Sequence, residues 1–263
     1  MQMLGLVFRI ATPAVLSNMM AVVTVITNTM IAGRMNDPTK LAAVGLANVC
    51  FGIMMLSVMS GLNSAQETLT SQAYGFGDLK LCGIYLNRGR AVLMVFFVPL
   101  VVLPAFFAEQ ILVAIGQDPE VSALAHRQIL AGIPAIFCFG QYDLYKRWLS
   151  CMRITFFPFI AMTLGTILHI PVAILLVYTF EFDIVGLAIA SSIKDCFVLL
   201  TVTIYGSCSK TVSQALVSPF STETLSGWSE YLSVALPSTV MVCAEWWAFQ
   251  AFVAIAGVIS VNA

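Results

Sequence analysis

Glu245 is the residue in this chain most able to do chemistry. It is the one charged residue between Tyr231 and Val261, in a stretch that is otherwise apolar or weakly polar. A fixed negative charge in such surroundings is costly and a neutral carboxyl is cheap. A group of that kind can take up a proton, release it, or meet a cation. Its other use is structural, as a hydrogen bond to a neighbouring helix. Trp246 and Trp247 flank it and offer π faces to an organic cation, worth about 0.5–2 kcal/mol when desolvated. Successive helical residues point about 100° apart, so one ring is expected to face a cavity and the other to pack away.

The remaining polar groups in apolar stretches carry weaker signals. Glu67 closes the second apolar stretch, where an interfacial carboxyl serves function or solvation about equally well. Asn18, Asn28 and Asn48 are read first as helix-to-helix hydrogen bonders. An unperturbed imidazole changes charge near neutrality, but a lone histidine such as His169 serves more often as an interhelical hydrogen bond. Lys194 and Asp195 are sequence neighbours, so their side chains are expected to diverge and to find partners on other helices. The seven cysteines are scattered and form no C-x-x-C pair, which points to free thiols rather than a disulfide framework or a zinc site. No G-x-x-x-x-G-K-[ST], G-x-S-x-G or H-E-x-x-H occurs, so neither ATP hydrolysis nor hydrolase chemistry is expected of this chain. No cofactor or metal is expected.

What positions these residues is a set of membrane-spanning helices. The 263 residues are 60% hydrophobic and 10% charged, far from the near-even apolar share and quarter of charged residues in soluble domains. Lipid is the expected solvent. A net charge of -1 gives no footprint for a nucleic acid. Residues 1–33 are apolar for too long to be a secretory leader and are read as a true span. Seven spans are expected, over 10–33, 41–66, 91–108, 121–149, 154–180, 184–206 and 231–261. The fold class is an all-α membrane protein. Breaks fall at Arg34 to Pro38, Tyr74 to Asp78 and Gly116 to Glu120, and residues 207–230 are the best linker. With the N-terminus inside, inner loops hold Lys80, Arg88, Arg90, Lys146, Arg147, Arg153 and Lys210, against Arg34, Lys40 and Arg127 outside. Seven against three favours that orientation.

Ala11-Thr-Pro13 and Ile31-Ala-Gly33 recur as Ala235-Leu-Pro237 and Ile255-Ala-Gly257, an offset of 224 residues in both places. Transporters are often built from such repeats. Residues 1–225 are therefore read as a six-helix lobe, and 226–263 as the first helix of a second lobe that is otherwise missing.

Four segments in order resemble the multidrug and toxic compound extrusion (MATE) transporters, the eukaryotic branch in particular. They are GLNSAQETLTSQAYG (61–75), GQDPEVS (116–122) leading to Ile133-Pro134, VGLAIA (185–190) and LPSTVMVCAEWW (236–247). The resemblance covers essentially the whole chain. It implies a twelve-helix, two-lobed exporter in the plasma or a vacuolar or vesicle membrane. Such an exporter exchanges protons or sodium for cationic or amphiphilic small molecules. Glu245 matches a glutamate implicated in coupling and substrate contact. Asn28 stands where bacterial relatives place an acidic residue, and Gln250 where many relatives have a second glutamate. Asn28, Glu67, Gln72, Trp246 and Gln250 are the candidate cavity residues. Tyr145, Trp148 and Met152 replace the family's Gln-rich end of helix four, a change expected to bear on substrate preference. A seven-helix receptor and a non-transporting remnant are the competing readings.

Overall fold

Asp37, Asp78 and Asp118 decide where three of the long helices begin. Each carboxylate accepts from backbone N–H groups two or three residues on: Thr39 and Lys40 at 3.0 and 3.3 Å, Leu81 at 2.9 Å, and Glu120 and Val121 at 2.9 and 3.2 Å. These bonds satisfy donors that a helix start leaves free. Pro38 and Pro119 follow two of the caps at a position where their missing N–H costs nothing. Gly77 and Gly116 hold φ of +80° and +88° in the preceding turns, a conformation that favours glycine.

The computed structural model describes the backbone of residues 2–219 and 222–261. Side chains of 2–7, 9–10, 54–55, 222, 225 and 250–261 lie outside the description. Seven long helices are present among the described residues: α1 (Gln2–Gly33), α2 (Pro38–Gly75), α3 (Leu79–Phe106), α4 (Pro119–Cys151), α5 (Phe156–Thr179), α6 (Asp183–Cys208) and α7 (Trp228–Val261). Each contains a stretch long and apolar enough to cross a membrane. Short helices Ala108–Ala114, Lys210–Ser213 and Thr222–Leu225 lie between them. The all-α membrane fold expected from composition is the fold observed.

Helix α4 is central. It packs on α2, α3 and α6, while α1 packs on α5 and α2, and α7 lies along α2 and touches α3. Tyr142, Tyr145 and Trp148 of α4 are among the largest fully buried side chains, and Trp148 Nε1 donates to the Cys82 carbonyl at 2.9 Å. These aromatics fill the lobe's centre, where Tyr145, Trp148 and Met152 are all buried. The outward face of α6, by contrast, presents Ile193, Phe197, Leu200 and Ile204, an i, i+4, i+7, i+11 stripe suited to lipid. Three helices contain a wider π turn, at Phe51–Leu56, Val98–Val102 and Leu175–Thr179.

Several boundaries differ from the sequence expectation. Helix α1 is helical from Gln2 rather than residue 10, α2 runs on to Gly75 rather than ending at 66, and α3 begins at Leu79 rather than near residue 91. Lys80, Arg88 and Arg90 thus stand on a helix and not in a loop, and Lys146 and Arg147, counted with the loops although the expected fourth span already held them, stand on α4. Lys80, Arg88, Lys146 and Arg147 are paired with carboxylates, and Arg90 lies over the Tyr145 ring at 5.1 Å. Arg88, mostly buried, reaches Glu230 at 3.0 Å and the Glu223 carbonyl at 3.1 Å. Tyr85 donates to Glu230 at 2.8 Å, and Asn87 to the Val217 carbonyl at 2.9 Å. The 207–230 segment is therefore folded onto α3.

Candidate transport site

Glu245 sits at the middle of the 34-residue α7, roughly 25 Å from either end at 1.5 Å per residue. It is exposed, and no hydrogen bond or ion pair reaches it among the described residues. The helix carrying it is fixed along its other side. Tyr231 donates to the Leu62 carbonyl at 3.4 Å, and Cys243 Sγ lies 3.7 Å from Ser57 Oγ. A Cβ at Gly61 would stand 2.5 Å from Thr239 Cα, so α2 and α7 meet at backbone distance because position 61 has no side chain.

The two tryptophans are held differently. Trp247 Nε1 donates to the Ile53 carbonyl at 3.0 Å, inside the π turn of α2, which ties that ring to the lobe. Trp246 is 41% and Trp247 52% exposed, so both rings keep an open face near Glu245. Gln250 lies further along α7, and its side chain is outside the described residues.

Asn28 is buried and bridges three helices. Its Nδ2 donates to Ser191 Oγ at 3.2 Å and its Oδ1 lies 2.8 Å from His169 Nε2. His169 Nε2 must carry the proton in that bond, which leaves Nδ1 bare, buried and without a well-formed hydrogen bond. One turn along α6, Lys194 Nζ and Asp195 Oδ1 stand 2.8 Å apart. These neighbours were expected to diverge. The long lysine stem folds back across the intervening backbone instead, giving a buried ion contact without good hydrogen-bond alignment at that oxygen.

Glu67 and Gln72 are exposed on α2. Glu67 pairs with Arg147 Nη1 at 3.0 Å, and Arg147 also holds Asp143 at 2.8 Å and Ser60 Oγ at 2.9 Å. Asp143 further accepts from Asn63 at 3.0 Å and meets Lys146 at 3.1 Å, while Lys146 reaches Asn18 at 3.1 Å. This network joins α1, α2 and α4. Asp143 escaped the sequence reading because Lys146 and Arg147 were counted only for orientation; the Asp-x-x-Lys-Arg spacing within the expected span 121–149 was the available signal. No contact joins Glu245 to Asn28, Glu67 or Gln72 among the described residues.

The relatives of the chain agree with this geometry. A MatE family model matches residues 13–175. The chain is 30% identical over 252 residues to multidrug and toxin extrusion protein 1 of Danio rerio, which covers 96% of this chain and 42% of that protein. It is 32% identical over 238 residues to protein DETOXIFICATION 3 of Arabidopsis thaliana, covering 88% and 48%. It thus spans less than half the length of the curated relatives it matches. The solved eukaryotic MATE transporter AtDTX14 superposes with a TM-score of 0.87 at 25% identity, covering 96% of this chain and 55% of that one. Vibrio cholerae VcmN, at 15% identity, shares the fold with a TM-score of 0.83, covering 96% and 56%. A helical bundle of this shape, the matching model and these relatives together replace the receptor reading: the chain belongs to the MatE family of multidrug and toxin extrusion transporters.

Proposed function

We propose that residues 1–225 form the first lobe of a proton-coupled exporter of organic cations. In this reading 226–263 open the second lobe, and Glu245 is the carboxyl that proton and substrate occupy in turn. The observation that carries the reading is an exposed, unpaired Glu245 at mid-length of an apolar helix. In this reading the carboxyl carries a proton while no cation is bound. An arriving organic cation makes the charged form favourable and displaces the proton. Since both cannot bind together, the two fluxes are linked in opposite directions. Trp246 would hold the cation against its ring. A second lobe facing Glu245 is part of the proposal, as is an orientation with Met1 in the cytosol.

The test is uptake of tetraethylammonium into proteoliposomes carrying the two-lobed transporter. Glu245→Gln keeps the fold and abolishes uptake driven by a proton gradient, and Glu245→Asp leaves partial uptake with a displaced pH profile. Adding Asn28→Asp to Glu245→Gln restores nothing, because coupling lies on α7. Replacing the proton gradient by a sodium gradient separates the two coupling ions. Parental uptake by the Gln variant from pH 6 to 8 would sink the proposal.

A further inference from the structure

Cys138 of α4 and Cys196 of α6 place their Sγ atoms 3.0 Å apart across the contact between the two helices. That is closer than packed carbon atoms, at about 3.5–4.0 Å, and within about 1 Å of a bonded S–S length. Both residues lie in the middle part of their helices. Their surroundings differ. Cys138 is buried at 8% exposure, whereas Cys196 is exposed on a helix whose outward face carries Ile193, Phe197, Leu200 and Ile204. Cys196 therefore opens to the acyl chains, with Cys138 directly behind it. Other thiols are engaged differently. Cys82 faces the Thr70 carbonyl, Cys151 the Glu67 carbonyl and Cys243 the Ser57 hydroxyl.

We propose that Cys138 and Cys196 form a redox modification site, a reversible disulfide formed by organic hydroperoxides dissolved in the lipid. The peroxide meets Cys196 first. Its sulfur attacks the terminal peroxide oxygen and the O–O bond breaks. Cys196 becomes a sulfenic acid, and the alkoxide leaves as an alcohol with the thiol proton. Cys138 then attacks the Cys196 sulfur; the S–S bond forms, the S–OH bond breaks, and hydroxide leaves with the Cys138 proton as water. Two thiols lose two electrons in total, and one hydroperoxide becomes one alcohol and one water. A thiol in apolar surroundings is a slow nucleophile. The nearness of Cys138 is what sets this pair apart, because it captures the sulfenic acid before further oxidation. The product ties α4 to α6, which otherwise meet through packing and the Ser192 Oγ bond to the Ala131 carbonyl at 3.3 Å.

The test uses the full chain in lipid vesicles treated with cumene hydroperoxide. The protein is unfolded in detergent, free thiols are alkylated with light N-ethylmaleimide, and disulfides are then reduced and alkylated with heavy reagent. Mass spectrometry is expected to find heavy label on Cys138 and Cys196 in equal amounts. In Cys138→Ser the heavy label at Cys196 falls to the untreated background, and in Cys196→Ser that at Cys138 does the same, so either variant serves if the other fails to fold. Two results would overturn the proposal: both cysteines staying light-labelled after treatment, or Cys196 keeping its heavy label in Cys138→Ser.

Discussion

Asp143 is closed in by Asn63, Lys146 and Arg147, and its side chain is only 7% exposed. Removing it would leave two cations half-buried without their shared carboxylate, whereas Glu67 offers Arg147 a partner that is 56% exposed. Asp143→Ala is therefore expected to destabilise the lobe by about 3 kcal/mol. Glu67→Ala should cost no more than about 1 kcal/mol. Thermal unfolding in one detergent compares them, and equal losses would contradict the ranking. Sequence reading found Glu245 because a lone charge in an apolar run needs no tertiary information to stand out. The Asn28–His169 contact and the Cys138–Cys196 pair were invisible to it, since each depends on which helices meet, whereas Asp143 had a local signal in its i+3 and i+4 cations that was passed over.

At the scale of elements, α7 is placed by a backbone contact. A methyl at Gly61 would meet Thr239 Cα at 2.5 Å as well as Thr239 Cβ at 3.0 Å. Trimming the threonine side chain removes only the second clash. Gly61→Ala is expected to cost about 1–3 kcal/mol through overpacking, and Thr239→Gly in the same chain should not recover it. Full recovery of the melting temperature by the double variant would show that the helices adjust by side chain alone. Two helix starts were readable because their caps are local: Asp37-Pro38 and Asp118-Pro119 carry the signal within four residues. The start of α3 was misplaced because Lys80, Arg88 and Arg90 look like a loop until Glu223 and Glu230 are folded onto the first two and the Tyr145 ring onto the third.

Across the whole molecule, the charged helix ends on α3 and α4 still bear on orientation, since positive residues near span ends count with those in loops. A reporter joined before Met1 is expected in the cytosol, and one inserted at Asp183 on the opposite side. The reverse arrangement would remove the basis for export from the cytosol. Lipid-facing stripes such as that on α6 and the paired charges on α3 and α4 divide the surface between two solvents. The face of α7 that bears Glu245 and Trp246 is where the account places a second lobe and the substrate. The most direct measurement of the shared carboxyl is proton release on cation binding. The two-lobed transporter, in weakly buffered solution, should release protons in proportion to the tetraethylammonium it binds, and Glu245→Gln should bind without releasing any. Release from the Gln variant equal to that of the parent would contradict the account.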